Sequence, residues 1–147
     1  MTLLNADYKI LARIIANRMK PTLQDLIYPQ QHCGSLGTSV FEAVATIRDA
    51  VDHSEITTNP LYVIAFDFQS ALDRVSHRYI DRSLHAHGFD DPFIRRIMGL
   101  YRNASSEVQV NGFSSNGFPI NCSICQGCPL SMMLFAICIN PLLHKLE

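Results

Sequence analysis

The chain's 147 residues are 48% hydrophobic and 17% charged, a balance that suits one compact domain or a large part of one and excludes a disordered tail. Lys and Arg number 12 against 13 Asp and Glu, for a formal net charge of -1, so no global field draws the chain onto a phosphate backbone and any nucleic-acid contact must come from a local patch. No apolar run reaches the roughly 18 residues of a membrane span. The amino terminus has neither a basic n-region nor a cleavage site, and five cysteines without secretory context argue against a disulfide framework. An intracellular setting is expected, with nucleus and cytoplasm undistinguished and no membrane partner.

From Ala6 to Lys20, the residues Ile10, Leu11, Ile14, Ile15 and Met19 fall on one broad face, predicting an amphipathic helix ended by Pro21. Lys9, Arg13 and Lys20 line the opposite face, a stripe able to follow phosphates, although basic stripes are more often simply solvated. A loop from Pro29 to Gly37 leads to a second helix, Thr38 to about His53, with Val40, Val44, Ile47 and Val51 inward. Leu61 to Phe66 is a nearly continuous apolar, β-rich run, expected as a strand buried on both faces and ending at Asp67. Ser76 can cap a helix to about His87, closed by Gly88, and Asp91-Pro92 has the form that starts another, to about Arg102. Glu107 to Gly112 and Gly117 to Ile120 predict two hairpin strands, and a last apolar helix opens at Gly127-Cys128-Pro129-Leu130-Ser131. There is no internal repeat, low-complexity tract or domain linker.

A strand that ends in a carboxylate presents it at the carboxyl edge of a sheet, where ligands of α/β proteins bind, and Asp67 holds that place. The run Phe66-Asp67-Phe68-Gln69-Ser70-Ala71-Leu72-Asp73-Arg74-Val75 resembles motif A of reverse transcriptases, in which an Asp is followed six residues later by the Asp of an Ala-Phe-Asp-Arg-Val run. Upstream, Leu3-Leu4-Asn5-Ala6-Asp7-Tyr8-Lys9 and Ala16-Asn17-Arg18 resemble the fingers segment of the enzymes of non-LTR, LINE-type retrotransposons. Downstream, Val110-Asn111-Gly112 and Gln126-Gly127-Cys128-Pro129-Leu130-Ser131 are similar to that family's Val-Asn-Gly strand and its motif B. Three matches in order cover essentially the whole chain.

The resemblance implies an α+β fold, helix-rich with a small antiparallel sheet, comprising the fingers (residues 1 to about 60) and a partial palm (about 61 to 147) of a right-hand polymerase. It implies RNA-directed DNA polymerase chemistry on an RNA or DNA primer-template and a deoxynucleotide, by nucleotidyl transfer on two Mg2+ ions about 3.5 to 4 Å apart. In that reading Asp67 is the catalytic ligand shared by both ions, and the Phe68 carbonyl helps hold the metal. Leu72 lies under the incoming sugar, Gln126 and Gly127 shape the nucleotide pocket, and Asp73 orients structure.

The chain departs from the pattern in several places. A single Asp cannot hold two divalent ions in an octahedral oxygen field, and the family's aromatic-x-Asp-Asp turn is not reached before Glu147. Phe89-Asp90-Asp91 precedes motif B, and Pro92 marks it as a helix start. Thr38, Ser70 and Cys125 are neutral where the family usually has a cation, Leu72 replaces Phe or Tyr, and Cys33-Gly34 stands where Gly-Phe is common. These features predict a truncated element, inactive as an isolated chain.

Two rival readings stand beside this one. Cys122-x-x-Cys125-x-x-Cys128 has thiolate spacing suited to zinc or an iron-sulfur cluster, but its fourth ligand is poorly placed and Cys138 reads as a core residue. His85 and His87, without a nucleophile motif, are expected on an exposed helical face. The alternative function is a non-catalytic module gripping nucleic acid or a polymerase partner through Lys9, Arg13, Lys20, Arg95, Arg96 and Arg102. An uncovered edge at the Leu61 to Phe66 strand would favour self-association or a partner chain.

Overall fold

The structure, a computed structural model, describes residues 4–32 and 39–146. Helices α1 (Ala6–Leu26), α2 (Val40–Thr57), α3 (His77–Ala86) and α4 (Asp91–Gly99) are followed by short strands β1 (Ser105–Ser106), β2 (Gln109–Val110), β3 (Phe113–Ser114) and β4 (Phe118–Pro119), then α5 (Ser131–Leu146). The fold is therefore α+β and helix-rich, with small antiparallel pairings, as expected from the sequence. The core forms where α3 packs on α4 and α5 and where α1 packs on α5 and α4. No helix among the described residues is long and apolar enough to cross a membrane.

Local chemistry explains why α3 and α4 begin where they do. The Ser76 side chain accepts the Tyr79 N–H, and Asp90 accepts the Phe93 N–H, each satisfying an orphan donor of a first turn. Asp90 is thus the cap of α4, one residue ahead of the Asp91 expected from the sequence, and Pro92 sits harmlessly in the first turn. Apolar residues then recur at helical spacing: Ile80 and Leu84 in α3, Ile94 and Ile97 in α4, Leu134 and Ile137 in α5, all fully or almost fully buried.

Helix α1 differs from its prediction twice. It continues through Pro21 to Leu26, although Pro21 has no N–H to offer the Asn17 carbonyl. Burial of Leu23 beyond the proline compensates for that one missing bond. The buried face is Ala12, Ile15, Ala16, Met19 and Leu23, so the expected face is rotated: Ile10, Leu11 and Ile14 remain exposed. The small side chains of Ala12 and Ala16 let α1 approach its neighbours, and this close approach decides which stripe goes inward.

Two larger expectations fail. Helix α2 forms, with Ser39 and Glu42 completing a capping box, but none of its residues is buried. Val40, Val44 and Ile47, expected inward, are 67%, 58% and 54% exposed, and Val51 is exposed as well. Among the described residues α2 packs against no other element. Likewise Leu61 to Phe66 is not a strand, and Tyr62, Ile64 and Phe66 are 85%, 73% and 79% exposed. A strand exists only through its hydrogen-bonded neighbour, and no described segment pairs with this run. The expected sheet edge there is accordingly absent.

The β-region also pairs differently from the prediction. β2 and β3 form a two-residue hairpin across Asn111 and Gly112, with φ of 49° and 82°, the backbone of a type I′ turn. The Gly117 to Ile120 segment pairs instead with β1, through Ser105 to Pro119 and Ser106 to Phe118.

One buried polar residue ties three elements together. Asn140, 2% exposed in α5, donates from Nδ2 to the Leu26 carbonyl and to His87 Nε2, each at 3.0 Å, and its Oδ1 accepts the Tyr28 N–H at 2.7 Å. His87 Nδ1 donates to the Ser83 carbonyl at 2.8 Å, which leaves Nε2 as the acceptor that Asn140 needs. His87, expected on an open face, is therefore half-buried at the end of α3.

Replacing Asn140 by Ala strands these partners, and the expected loss is about 3 kcal/mol, since each unpaired buried group costs about 1–3 kcal/mol. Denaturant titration followed by circular dichroism measures it, with exposed Asn17→Ala as a control expected to change stability by less than about 0.5 kcal/mol. His85 does lie on the exposed face of α3, and its pKa is raised above the ordinary 6.5, first by the Asp81 backbone carbonyl and then, against some desolvation, by the Asp91 and Asp81 carboxylates. Its contribution to stability is fully present below pH 6.5 and lost as pH rises through the higher folded-state value. NMR titration of the His85 ring should show a midpoint above 6.5 that falls in Asp91→Asn.

Candidate functional site

Asp67 follows the exposed apolar run directly and is itself exposed. After it the chain turns at Ser70, a non-glycine residue with φ 53°, whose carbonyl accepts the Asp73 and Arg74 N–H groups at 3.0 and 3.1 Å. The turn is anchored to a later part of the chain: Ile124 N–H donates to the Leu72 carbonyl and Ser123 N–H to the Val75 carbonyl, both at 2.9 Å. Ile124 is fully buried, and Leu72, half-buried, packs against the same core. Leu72 is thus held from both sides by backbone and packing.

Residues 126 and 127 follow this junction immediately. Gln126 and Gly127 form an exposed turn, with Gly127 at φ 79° and the Cys128 N–H donating to the Cys125 carbonyl at 3.3 Å. The structure therefore connects the loop after Asp67 to the segment leading into the Gln126-Gly127 turn by two backbone hydrogen bonds. These segments lie far apart in sequence.

A cavity of about 590 Å³ opens beside Asp67, Phe68 and Gln69 and is floored by Phe135, Cys138 and Leu142 of α5. Arg74 and Tyr79 also line it. The Tyr79 hydroxyl donates to the Cys138 carbonyl at 3.0 Å, joining α3 to α5 at the cavity wall. Neither residue was singled out from the sequence, although Arg74 stands in the Asp-Arg-Val run that carried the resemblance.

A second, shallower cavity of about 450 Å³ is lined by Lys9, Ile10, Arg13 and Ile14 of α1 with Gly127 and Pro129. Two of the three cations proposed from the sequence thus face the same space as the Gln126-Gly127 turn. Lys20, also exposed, does not line it.

The family model for reverse transcriptase (RNA-dependent DNA polymerase) matches residues 1–147. The chain belongs to the reverse transcriptase family. It is 33% identical over its whole length to the transposon TX1 uncharacterized protein of Xenopus laevis, of which it covers 11%. Over 134 residues, 90% of this chain and 12% of the relative, it is 29% identical to the retrovirus-related Pol polyprotein from the type-2 retrotransposable element R2DM of Drosophila melanogaster. Over 85 residues, 58% of this chain and 14% of the relative, it is 36% identical to the Pol polyprotein of a type-1 element R2 of Popillia japonica. These relatives place it among the reverse transcriptases of non-LTR retrotransposons, and it spans about a tenth of their length, from 11% to 14%.

Reverse transcriptases use divalent metal ions, which gives Asp67 a chemical test. Hard cations such as Mg2+ require near-octahedral oxygen coordination, and a two-ion site requires carboxylates from more than one source. Among the described residues no group of three His, Cys, Asp or Glu side chains converges to hold an ion. The donor set present here does not fit a two-ion reverse transcriptase centre. Among the described residues the Cys122, Cys125 and Cys128 side chains likewise do not converge into such a group. Cys33, Gly34 and Thr38, where the sequence departs from the family pattern, lie outside the described residues.

The left-handed turn at Gly127 yields a direct check on this loop. Gly127→Ala should lower stability by about 1–2 kcal/mol, the cost of a side chain in that backbone region, because nothing within 4 Å would obstruct the new Cβ and strain is the only term. Gly99→Ala, in α4 and equally unobstructed, should be neutral or stabilising. Paired thermal melts distinguish the two.

Proposed function

We propose that this chain is a section of a non-LTR RNA-directed DNA polymerase, with residues 1 to about 60 as fingers and about 61 to 147 as partial palm. Asp67 is its catalytic carboxylate, with the Phe68 carbonyl beside it. Leu72, Gln126 and Gly127 border the deoxynucleotide, and Lys9 and Arg13, with Lys20 further along α1, contact the primer-template. The observation that carries this reading is the pair of hydrogen bonds from Ile124 and Ser123 to Leu72 and Val75, which joins the loop of Asp67 to the segment before Gln126. Polymerisation needs the acid and the nucleotide-shaping turn as neighbours, and this junction supplies a reason for them to be so.

The chain's own residues bind and orient rather than complete the reaction. Asp67 is exposed and free to meet oxygen ligands or a cation, and Arg74 beside it offers a fixed positive charge to an anionic group in the same cavity. Asp67 and the Phe68 carbonyl would supply part of the oxygen set for a divalent ion, whose chemistry would serve nucleotidyl transfer. The companion ligands must come from elsewhere than the described residues, so the isolated chain is not expected to polymerise.

The second reading, a non-catalytic nucleic-acid module, draws on the Lys9 and Arg13 cavity beside Gly127. Both readings are tested in one series, using a Pol polypeptide that contains this section and a primer-template duplex. Asp67→Asn should abolish nucleotide incorporation while leaving duplex affinity unchanged. Combined Lys9→Ala and Arg13→Ala should weaken duplex binding and reduce the salt slope by about two, near 0.9 per lost phosphate contact. Retained incorporation in Asp67→Asn would sink the catalytic assignment, and an unchanged salt slope would sink the phosphate contacts.

A further inference from the structure

The Cys122-x-x-Cys125-x-x-Cys128 run offers three thiols at equal spacing, and the backbone distinguishes among them. Cys125 and Cys128 occupy the ends of the turn through Gln126 and Gly127, closed by the Cys128 N–H to Cys125 carbonyl bond at 3.3 Å. A turn of this kind holds its terminal Cα atoms within about 7 Å, a limit that overlaps the roughly 4.4–6.8 Å span that a disulfide bridges. The hydroxyl of Ser131 donates to the same Cys125 carbonyl and fixes the turn from the α5 side. Cys122 is placed differently: it is exposed, forms an isolated antiparallel bridge with Ser76, and has no backbone bond closing it onto Cys125.

The surroundings of the pair are also distinct. The hydroxyls of Tyr8 and Tyr101 are buried, that of Tyr8 interacts with the Cys125 and Cys128 thiols while that of Tyr101 has no hydrogen-bond partner, and the pKa of each is pushed up first by burial and then by the neighbouring cysteines. Two buried phenols therefore lie close to the two thiols. Cys128 is buried and its sulfur accepts the Leu130 N–H at 3.5 Å, whereas Cys125 is only half-buried. Of the two, Cys125 is the one a reagent meets first.

We propose that Cys125 and Cys128 form a redox-active dithiol that closes to an intramolecular disulfide by exchange with a low-molecular-weight disulfide such as oxidised glutathione. The Cys125 thiolate attacks one glutathione sulfur, an S–S bond forms to Cys125, and one glutathione thiolate leaves. The Cys128 thiolate then attacks the Cys125 sulfur, forming the internal bond and expelling the second glutathione thiolate. The chain loses two electrons and two protons, and the glutathione disulfide gains the two electrons. The closed bridge spans the Gln126-Gly127 turn, so oxidation fixes the loop that carries it. This assignment is independent of any catalytic role for Asp67.

Burial raises the pKa of Cys125, with the neighbouring Cys128 adding to the rise and the Tyr8 hydroxyl opposing it. The exchange should consequently accelerate by about tenfold per pH unit between pH 7 and 8, following the thiolate fraction. The test is incubation of the intact 147-residue chain with oxidised glutathione, alkylation of the remaining thiols, and peptide mass mapping. The expected product is a Cys125–Cys128 link, lighter by two hydrogens, that persists in Cys122→Ser and is replaced in Cys128→Ser by a glutathione adduct on Cys125. A link involving Cys122, or glutathione adducts alone in the unsubstituted chain, would overturn the proposal. The mapping is read on the unsubstituted chain, so it stands even if a variant fails to fold.

Discussion

The packing of this molecule turns on one side-chain amide. Asn140 sits in the most apolar helix, where an unpaired amide would be costly, and every strong partner it has lies on another element: the Leu26 carbonyl and Tyr28 N–H at the end of α1, and His87 at the end of α3. Those backbone groups are the orphans that any helix terminus leaves behind. By capping α1 from within α5 and by selecting one tautomer of His87, Asn140 sets the register of three helices with four named hydrogen bonds, including that of His87 to Ser83. Hydrophobic contact alone is non-directional and would tolerate sliding.

The candidate site inherits its geometry from that packing. Helix α5 forms the floor of the cavity beside Asp67 through Phe135, Cys138 and Leu142. The segment before α5 supplies Ile124, which both fills the core and binds the Leu72 carbonyl. A buried residue and a functional loop are therefore the same short stretch, so the position of the loop after Asp67 depends on correct packing of the core. The basic pair on α1 reaches Gly127 for the same reason, because α1 is held against α5.

Much of the apolar surface left uncovered among the described residues lies in one stretch. Helix α2 and the extended run that follows it, residues 40–68, expose Phe41, Ile56, Tyr62, Ile64 and Phe66, each more than 70%. Apolar area in water costs about 25 cal/mol per Å² relative to burial, so this stretch contributes helix propensity and capping but little packing. The core, by contrast, draws on α1, α3, α4 and α5, whose buried residues form a continuous cluster.

What the sequence determined alone were the features governed by neighbours in the chain. Ser76 starts α3 because its side chain reaches an N–H three residues on, Gly88 closes α3, and Pro92 marks a helix start, whereas the cap at Asp90 and the turn at Asn111 and Gly112 were seen only in the structure. The order of motifs around Asp67, and with it the family, was legible for the same reason: residue identities in series need no folding to be read. Tertiary structure decided which apolar faces are buried. The α1 stripe rotated toward Ala12 and Ala16 because small side chains permit close approach, α1 ran on past Pro21 because Leu23 had a core to enter, and the Leu61 to Phe66 run stayed unpaired because a strand needs a partner supplied from outside its own sequence. The joining of Leu72 and Val75 to residues 123 and 124, and the bridging by Asn140, are contacts between distant segments, and no periodicity encodes them.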